Sequence, residues 1–552
     1  MIGVVFYFVF SFLLLRYIFF CNMNTNKRQE QLQGLEIDLV WDVVIIGGGA
    51  TGLGCAVDAA SRGYRTLLLE QHDFAKGTSS RSTKLVHGGV RYLAQGDVAL
   101  VQEALKERGL LFQNAPHLVH KQSFVIPCFS WLSKMKYLIG LKLYDWLSGK
   151  FSFGSSVYMS KSEVLNALPE ISDKGLSGGI EYYDGQFDDA RLAINLAQTA
   201  IEQGATVLNY VKVTELLKEG QNNKISGVKA VDEESGQEFI IRAKTVINAT
   251  GVFVDDILQM DTPGNKKLVR PSQGVHIVLD KSFLSGNSAL MIPETSDGRV
   301  LFAVPFHDHL VVGTTDTPLN DNSLEPQALQ QEIDFILETA GAYLEKRPTE
   351  KDILSIFAGL RPLAAPDKNT SKTKEISRSH KMMISKSGLI TITGGKWTTY
   401  RKMAEDTINQ AIVSGQLNHK KCVTEDLKIH GYNTEKRNNH YDVYGSDAYA
   451  IQKLAEEHPH LNEKLHEMYP YTGAEVVWAV QNEMARTVED VLARRLRILF
   501  LNARVAAEIA PKVASLIALE LGYNSFWEDE QVKIFNNLAA GYLINVNHNV
   551  VT

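Results

Sequence analysis

The stretch that decides the fold is Asp42-Val43-Val44-Ile45-Ile46, followed directly by Gly47-Gly48-Gly49-Ala50-Thr51-Gly52. An apolar run that breaks into G-x-G-x-x-G predicts a β-strand, a tight turn and a helix. A second apolar run, Arg65–Leu69, ends at Glu70, an acid about twenty residues past the loop. This order of strand, glycine loop, helix, strand and acid predicts a binding site for a dinucleotide rather than a βαβ unit that binds nothing.

Each glycine of the loop has its own role in that prediction. Gly47 allows the tight turn, Gly49 lets the backbone approach a pyrophosphate, and Gly52 lets the helix pack close to the sheet. The N-terminus of the helix offers unpaired N–H groups and a partial positive charge to phosphates. Glu70 is placed to accept hydrogen bonds from ribose hydroxyls, and an acid there disfavours the 2′-phosphate of NADP.

Composition limits the class of protein. The chain has 552 residues, of which 45% are hydrophobic and 22% are charged, so we expect two or three globular domains. The formal charge of −6 gives no indication of a nucleic-acid partner. The four cysteines, Cys21, Cys55, Cys128 and Cys422, form no CxxC pair and no zinc-ligand spacing. We therefore predict a reducing compartment and no metal site.

The N-terminal segment allows three interpretations. Residues 2–20 are almost wholly apolar, Arg16 is the one charge, and the length approaches the ~20 residues that cross a bilayer. The segment could be a membrane anchor, or upstream sequence in front of a true start at Met23. A signal peptide fits less well, because there is no basic n-region and no A-x-A-like cleavage site. Residues 24–38 read as a polar tail.

The rest of the chain alternates between two kinds of segment. Strand patterns that suit the nucleotide-binding sheet recur near residues 42, 206, 245 and 390, so the material between them must form a second lobe. Residues from about 440 to 541 are rich in Ala, Glu, Leu and Arg and predict a separate helical region. Helices are predicted at Val98–Gln113, at Asp188–Gln203 with Asp188 or Asp189 as the cap, at Glu325–Tyr343, and from Thr398.

Four further strings carry a family resemblance. They are Lys84–Leu93, Gly313–Asp316, Gly359–Leu363 and Gly394–Arg401, and they are similar to strings of the FAD-dependent glycerol-3-phosphate dehydrogenases. The resemblance covers about residues 39–540. It implies FAD as cofactor and oxidation of sn-glycerol 3-phosphate to dihydroxyacetone phosphate by hydride transfer to flavin N5. It also implies that electrons pass to a membrane quinone and that the protein attaches peripherally to the inner face of a membrane. We expect this to be the cytoplasmic face of the cell membrane. The apolar run 2–20 is not part of the family pattern, and it is a possible additional anchor if it is translated.

The expected fold class is α/β. We predict a Rossmann-type FAD-binding domain (about 39–120, 185–255 and 355–425) interleaved with a mixed α+β substrate domain (about 121–184 and 256–354). An all-α C-terminal domain (430–552) follows, and residues 1–38 stand in front. A cleft between two interleaved lobes is the expected place for a small substrate. A homodimer is left open.

Cations are needed to hold the substrate, which is a dianionic phosphate ester with a secondary alcohol. Guanidinium groups give bidentate geometry to phosphate, and Arg91, Arg361 and Lys396 stand on motif positions. Arg378 is a fourth candidate in a weaker local context, and Tyr92 can donate to a phosphate or hydroxyl oxygen. An amino acid or hydroxy acid has one carboxylate, which usually needs one arginine, so this surplus of cations favours a phosphate.

Oxidation also needs a base for the hydroxyl proton. A histidine suits this role near neutral pH, and His87 and His276 are the candidates. Either one could instead be a structural histidine bonded to the backbone, and ordered water is a further alternative. We therefore predict a catalytic group of His87, His276, Arg361 and Lys396, with the base left open between the two histidines.

The remaining predictions concern the cofactor and the membrane. Gly394-Gly395 opens a helix, and the resemblance implies that its N-terminus points at the pyrimidine edge of the flavin. There the helix N-terminus and Lys396 would stabilise negative charge near flavin N1. The residues expected to line the cofactor, beyond the glycine loop and Glu70, are Thr78, Ser79, Ser80, Lys84, Gly251, Gly395 and Thr398. The resemblance adds Val213, which matches the family position whose backbone meets the adenine. The run Trp131–Leu147 mixes aromatics, aliphatics and lysines, which is typical of an interfacial helix and also of a core helix with a basic edge.

Three functions remain as alternatives to the quinone-linked dehydrogenase. An oxidase of the same fold would pass the electrons to oxygen and form peroxide. A flavoprotein without turnover would act as a binding module, but it would be expected to lack the His and cation positions that are present here. An enzyme for an amino or hydroxy acid is disfavoured by the surplus of cations.

Overall fold

The computed structural model describes residues 26–35, 39–94, 96–295, 298–364 and 380–544. The predictions for the apolar run 2–20, for a start at Met23 and for Arg378 fall outside these residues. None of the helices in the described ranges is long and apolar enough to cross a bilayer.

The elements are numbered in chain order. The strands are β1 (Val40–Ile46), β2 (Thr66–Leu69), β3 (Leu85–Val86), β4 (Val119–Cys128), β5 (Val157–Met159), β6 (Gly178–Phe187), β7 (Thr206–Leu208), β8 (Val211–Glu219), β9 (Lys224–Asp232), β10 (Glu238–Asn248), β11 (Val269–Asp280), β12 (Ala289–Ile292), β13 (Leu301–Phe306), β14 (His309–Gly313), β15 (Thr317–Pro318), β16 (Ile353–Ala364), β17 (His380–Ile384) and β18 (Ile390–Gly394). The helices are α1 (Asn26–Gln33), α2 (Ala50–Ser61), α3 (Val90–Ala94), α4 (Val98–Asn114), α5 (Trp131–Ser148), α6 (Lys161–Ala167), α7 (Asp189–Glu202), α8 (Val254–Asp261), α9 (Gln330–Gly341), α10 (Tyr400–Ser414), α11 (Ala448–Glu457), α12 (Gly473–Asn482), α13 (Ile498–Leu501), α14 (Ala503–Leu521) and α15 (Ser525–Ala540).

The first sheet is the nucleotide-binding sheet. Its main order is β17-β18-β10-β1-β2-β7, and β9 pairs with β10 and with β8. The central pairs are parallel, so Ile46 at the end of β1 lies between Asn248 of β10 and Leu69 of β2. The glycine loop and the Gly251 turn therefore leave the sheet at the same edge. The prediction that the strand at 245–251 returns to this sheet is confirmed.

The second sheet forms the other lobe. Its order is β15-β11-β14-β13-β12-β4-β6-β3, with β16 on β11 and β5 on β6. The long antiparallel pair β11–β16 places His276 opposite Phe357, and Ser272 opposite Arg361. The candidate base His276 and the candidate cation Arg361, which are 85 residues apart in sequence, thus lie on adjacent strands of one wall.

The C-terminal helices contact both lobes. Their apolar side chains share one buried cluster with Val278, Phe306, Val311 and Phe357 of the second sheet. The fold class is confirmed: an α/β Rossmann-type architecture with a mixed α+β lobe and helical C-terminal region. The residue boundaries between domains stay a prediction; in the structure, both β3 and β16 belong to the second sheet.

Helix boundaries follow the capping groups. The helix expected at Asp188–Gln203 is α7, and the Asp188 side chain caps it by accepting from the backbone N–H groups of Ala190 and Arg191. The helix expected from Glu325 begins only at Gln330, because the Glu332 carboxylate accepts from the Leu329 N–H (3.0 Å) and fixes the first turn there.

Candidate active site

A cavity of about 670 Å³ is walled by the glycine loop and by residues of the second sheet. Most of the predicted site residues line it, although they come from widely separated parts of the chain. The predicted residues in its wall are Gly47, Gly49, Glu70, Thr78, Ser79, His87, Tyr92, Val213, Gly251, His276, Arg361, Gly395, Lys396 and Thr398.

The glycine loop has the geometry of a phosphate cradle. Gly47 has φ +112°, and a Cβ there would lie 2.7 Å from the Ala249 carbonyl oxygen. A Cβ on Gly52 would lie 1.9 Å from the Gly47 oxygen, so only glycine lets α2 start this close to the loop. The Ala50 N–H donates to Ser79 Oγ (2.9 Å), which ties the helix N-terminus to the Thr78–Ser80 turn. These features fit the pyrophosphate of a dinucleotide.

Glu70 is a fixed acceptor in the cavity wall. Its carboxylate accepts from the N–H groups of Gly48 (2.6 Å) and His72 (2.8 Å). Burial raises the pKa of Glu70, and the two backbone N–H groups oppose that effect. Val213, on β8, lines the same cavity. This placement fits a carboxylate that accepts from a ribose.

Three distant segments meet at the Gly395 turn. Lys396 Nζ lies 3.9 Å from the centroid of the Tyr92 ring. The Trp397 indole N–H donates to the Ser79 carbonyl (2.8 Å), and the His87 N–H donates to Thr398 Oγ1 (3.2 Å). The turn after β18 is thereby fixed against both the Thr78–Ser80 turn and the segment that leads into α3.

Arg361 is oriented by neighbouring acceptors. Its guanidinium donates to the carbonyls of Gln273 (3.2 Å) and Thr315 (3.0 Å) and to Thr314 Oγ1 (3.1 Å). Asp316 Oδ1 lies 3.3 Å from Nη1 and completes an ion pair. Asp316 belongs to the Gly313–Asp316 string, but the sequence alone gives it no role. Its contact with Arg361 depends on pairing between β11 and β15, which brings the two residues together.

His276 is buried in the cavity wall at 2% exposure. Its Nε2 shares a hydrogen bond with Thr83 Oγ1 (2.9 Å), and its ring stacks on Phe357 with centroids 4.8 Å apart. Its Nδ1 has no hydrogen-bond partner among the described residues. Burial, and then the charges of Lys84 and Arg361, hold the pKa of His276 well below its ordinary value. The imidazole is therefore neutral near pH 7.

Lys84 and Ser80 do not line the cavity, and this corrects their predicted place. Lys84 Nζ donates to the Ser80 carbonyl and to Asp189 Oδ2, both at 2.7 Å. Burial lowers the pKa of Lys84 to about 7, while Asp189 opposes that effect. Arg497 donates to Asp189 (2.8 Å) and to the Ser80 carbonyl (3.0 Å). This group of residues supports the Thr78–Ser80 turn on the side away from the cavity. From sequence, Asp189 is predicted only as a candidate helix cap.

The backbone of Arg91 lies in α3, one residue before Tyr92, but its side chain is outside the described part of the structure, as is all of Arg378. Their roles stay predictions. Within the described ranges, no group of three His, Cys, Asp or Glu side chains is arranged to hold a metal.

Comparison with known proteins places the chain in a family. Residues 42–401 match the family model "FAD dependent oxidoreductase", and residues 386–531 match "C-terminal domain of alpha-glycerophosphate oxidase". The mitochondrial glycerol-3-phosphate dehydrogenase of Rattus norvegicus is 39% identical over 546 residues, covering 93% of this chain and 75% of that protein. The probable mitochondrial enzyme of Dictyostelium discoideum is 39% identical over 555 residues, covering 93% and 85%.

Solved structures agree with these relatives. The glycerol-3-phosphate dehydrogenase of Bacillus halodurans, complexed with FAD, matches with a TM-score of 0.77 and 28% identity over 95% of this chain and 99% of that one. The L-alpha-glycerophosphate oxidase of Mycoplasma pneumoniae, with FAD bound, has a TM-score of 0.54 at 16% identity over 70% and 98%, a likeness of fold alone. Identity of 39% over nearly the whole length shows that the chain belongs to the family of FAD-dependent glycerol-3-phosphate dehydrogenases.

Proposed function

We propose that this protein oxidises sn-glycerol 3-phosphate to dihydroxyacetone phosphate, with FAD held in the cavity between the two lobes. FAD, when bound, supplies the acceptor for the C2 hydride at N5. One observation carries the proposal: a single cavity is walled by the glycine cradle and by Arg361, Lys396, Tyr92 and His276. The cradle fits a dinucleotide, and the opposite wall fits an anion with a neighbouring hydroxyl.

The cationic wall is proposed to bind the phosphate. Arg361 presents a guanidinium that Asp316 and two carbonyls hold in place, so little side-chain freedom is lost when an anion binds. The Lys396 ammonium over the Tyr92 ring adds a second charge beside a phenol donor. Arg91 and Arg378 remain proposed further ligands on their motif positions alone.

His276 is proposed to take the hydroxyl proton. A base must be neutral before it accepts a proton, and burial keeps this imidazole neutral. Its Nδ1 has no hydrogen-bond partner among the described residues, while Thr83 orients the ring through Nε2. His87 also lines the cavity, where its backbone N–H holds Thr398, and it is the alternative base.

A membrane quinone is proposed as the electron acceptor. The relatives with 39% identity are named dehydrogenases, which favours this acceptor over oxygen. Helix α5 supports a place at a membrane surface, because it exposes Trp131 (69%), Ile139 (64%) and Trp146 (74%) to solvent. We propose peripheral attachment through this face of α5 at the cytoplasmic side of the membrane. The oxidase is the second candidate, since the C-terminal segment matches a model named for an oxidase.

The acceptor is tested by turnover of the FAD-loaded protein. With sn-glycerol 3-phosphate as donor, we expect rapid reduction of decylubiquinone under nitrogen and little peroxide in air. Glycerol, which lacks the phosphate, is the matched control and should support neither reaction. Stoichiometric peroxide with no quinone reduction would replace the dehydrogenase with the oxidase.

A further inference from the structure

The connection from β15 to α9 is an irregular segment, residues 319–329, which we call the strap. The second sheet holds it near both ends. At its start, the Leu319 N–H donates to the Pro271 carbonyl (3.0 Å). Near its end, the Gln273 side chain donates to the Gln327 carbonyl (2.9 Å). The middle of the strap reaches from the second sheet to the loops of the nucleotide-binding sheet.

The strap is anchored at two points on those loops. The Asn322 side chain donates to the carbonyl of Val252, in the loop after β10 (2.6 Å). Glu325 forms ion pairs with Lys76 (3.0 Å) and Arg81 (2.6 Å), in the segment after β2. Because β1 lies between β10 and β2 in the parallel part of the sheet, these two loops stand on either side of the glycine loop.

The strap therefore crosses the glycine loop. Two strand spacings separate β10 from β2, which is about 10 Å, and the chain from Asn322 to Glu325 can span about the same distance. Leu324, between the two anchors, lines the cavity together with Gly49 and Thr78. The crossing thus lies on the cavity side of the glycine loop, where the pyrophosphate of a dinucleotide is expected to bind.

Glu325 is the stronger of the two anchors. Its carboxylate also accepts from the Tyr542 hydroxyl in the C-terminal region (3.2 Å). Burial opposes its ionisation, but the charges of Arg81 and Lys76 outweigh burial and hold the pKa of Glu325 below its ordinary value. Charge-assisted bonds of this kind are stronger than the neutral bond of the exposed Asn322. All of these partners belong to the protein, so the strap is held shut whether or not a cofactor is bound.

We propose that the strap closes the cavity over the glycine loop, and that FAD enters and leaves only when the anchors Glu325 and Asn322 release the strap. Asn322 does not line the cavity, so its effect on the cofactor must pass through the position of the strap. A strap of this kind slows entry and exit alike. It leaves the affinity for FAD almost unchanged, because a barrier does not alter an equilibrium. Exchange of FAD is also separate from the choice of donor and acceptor.

Exchange of the bound cofactor tests the strap. Holoenzyme loaded with radiolabelled FAD is mixed with a large excess of unlabelled FAD, and the label that stays on the protein is followed with time. We expect exchange to be at least about tenfold faster than in the wild type in Glu325→Gln, and at least about threefold faster in Asn322→Ala. The Kd for FAD, measured by equilibrium dialysis, should stay within about threefold of the wild-type value in both variants.

Two matched controls carry the same substitutions away from the anchors. Glu338→Gln changes an exposed carboxylate on α9, and Asn320→Ala changes an exposed amide on the strap itself. Both should exchange FAD within about twofold of the wild-type rate. Asn322 is exposed, so Asn322→Ala carries the test if Glu325→Gln does not fold.

Exchange at the wild-type rate in either folded anchor variant would overturn the strap, as would equally fast exchange in the controls. A Kd that rises in proportion to the exchange rate would also overturn it, because Glu325 and Asn322 would then act on affinity and not on a barrier. A protein that exchanges FAD as expected but is not bleached by glycerol 3-phosphate would contradict the proposed function alone.

Discussion

At the residue scale, the orientation and the charge state of the site side chains are set by their neighbours. Arg361 is fixed by Asp316 and carbonyls, and the depressed pKa of His276 follows from burial beside Lys84 and Arg361. A side chain that is already oriented loses less entropy when substrate binds. Both effects can be measured by single substitutions.

Arg361→Met should weaken substrate binding strongly while FAD stays bound. Loss of a charge-assisted contact to a phosphate is expected to raise the KM for glycerol 3-phosphate about 100-fold. Arg361→Lys is the matched control, because it keeps the charge without the bidentate geometry. Its KM should lie between those of the wild type and Arg361→Met. An unchanged KM in Arg361→Met would remove Arg361 from the phosphate site.

His276→Gln should slow flavin reduction by about 100-fold or more if His276 is the base. Since the pKa of His276 lies well below its ordinary value of 6.5, the wild-type rate of flavin reduction should stay level from pH 8 down to 6.5. The lowered pKa also affects stability. Below about pH 6.5 the unfolded chain takes up a proton that the folded protein does not, so the free energy of unfolding decreases as the pH falls. A rate that follows an ordinary imidazole near 6.5 would contradict this assignment.

Local patterns predicted part of the site, and tertiary contacts decided the rest. The glycine loop and Glu70 could be placed from sequence, because their spacing is set within one βαβ unit. Lys84 was predicted on the cavity side, yet its partner Asp189 is more than one hundred residues away on α7. No local sequence pattern shows whether the Lys84 side chain points into the cavity or towards α7 on the other side of the Thr78–Ser80 turn. Likewise, the bond between Thr83 and His276 joins residues that are 193 positions apart in sequence, so no local pattern predicts it.

At the element scale, the bounds of α5 could be predicted closely from the sequence, whereas its role as an interfacial or a core helix could not. The segment expected at Trp131–Leu147 is helical from Trp131 to Ser148, and Ser130 caps it. The structure adds which side packs: Leu141 and Tyr144 are buried, whereas Trp131 and Trp146 are exposed. The second sheet was harder to predict, because its order depends on pairing between distant strands such as β4 and β12.

Replacing Trp131 and Trp146 together by Glu should release the protein from membranes. Two exposed indoles supply much of the apolar area that can enter the interface, and added carboxylates are repelled by anionic lipid. We expect cosedimentation with vesicles of phosphatidylcholine and phosphatidylglycerol to fall at least about fivefold. Phe526→Glu, at a residue 75% exposed on α15, is the control and should leave vesicle binding unchanged. Equal binding of the double variant would show that α5 is not the membrane contact.

At the scale of the whole molecule, buried ion pairs join the C-terminal helices to the cofactor lobe. Asp73 follows the Glu70 segment and is contacted by Arg494 and Arg495, all of them buried. Arg191 on α7 forms a bidentate pair with Glu483 (2.8 and 2.7 Å). Breaking such a pair leaves an uncompensated buried charge, so these contacts couple the two regions.

We therefore expect one unfolding transition for the entire chain. Flavin release and loss of helical circular dichroism should share one thermal midpoint. FAD at 100 times its Kd should raise the free energy of unfolding, followed by either signal, by about 2.7 kcal/mol. Asp73→Asn should lower the free energy of unfolding, followed by either signal, by about 3–5 kcal/mol, because it leaves the buried Arg494 and Arg495 without this carboxylate. Asp173→Asn removes an exposed pair with Lys161 and should cost less than about 1 kcal/mol. Two separate transitions in the wild-type protein would show that the helical region is independent.

The central claim is that one cavity brings an anion-binding wall to the reactive face of FAD. Anaerobic mixing of the FAD-loaded protein with sn-glycerol 3-phosphate, followed at the visible absorbance of oxidised flavin, tests it most directly. The account predicts rapid bleaching with glycerol 3-phosphate and none with glycerol. A spectrum that glycerol 3-phosphate leaves unchanged, while dithionite bleaches it, would contradict the claim.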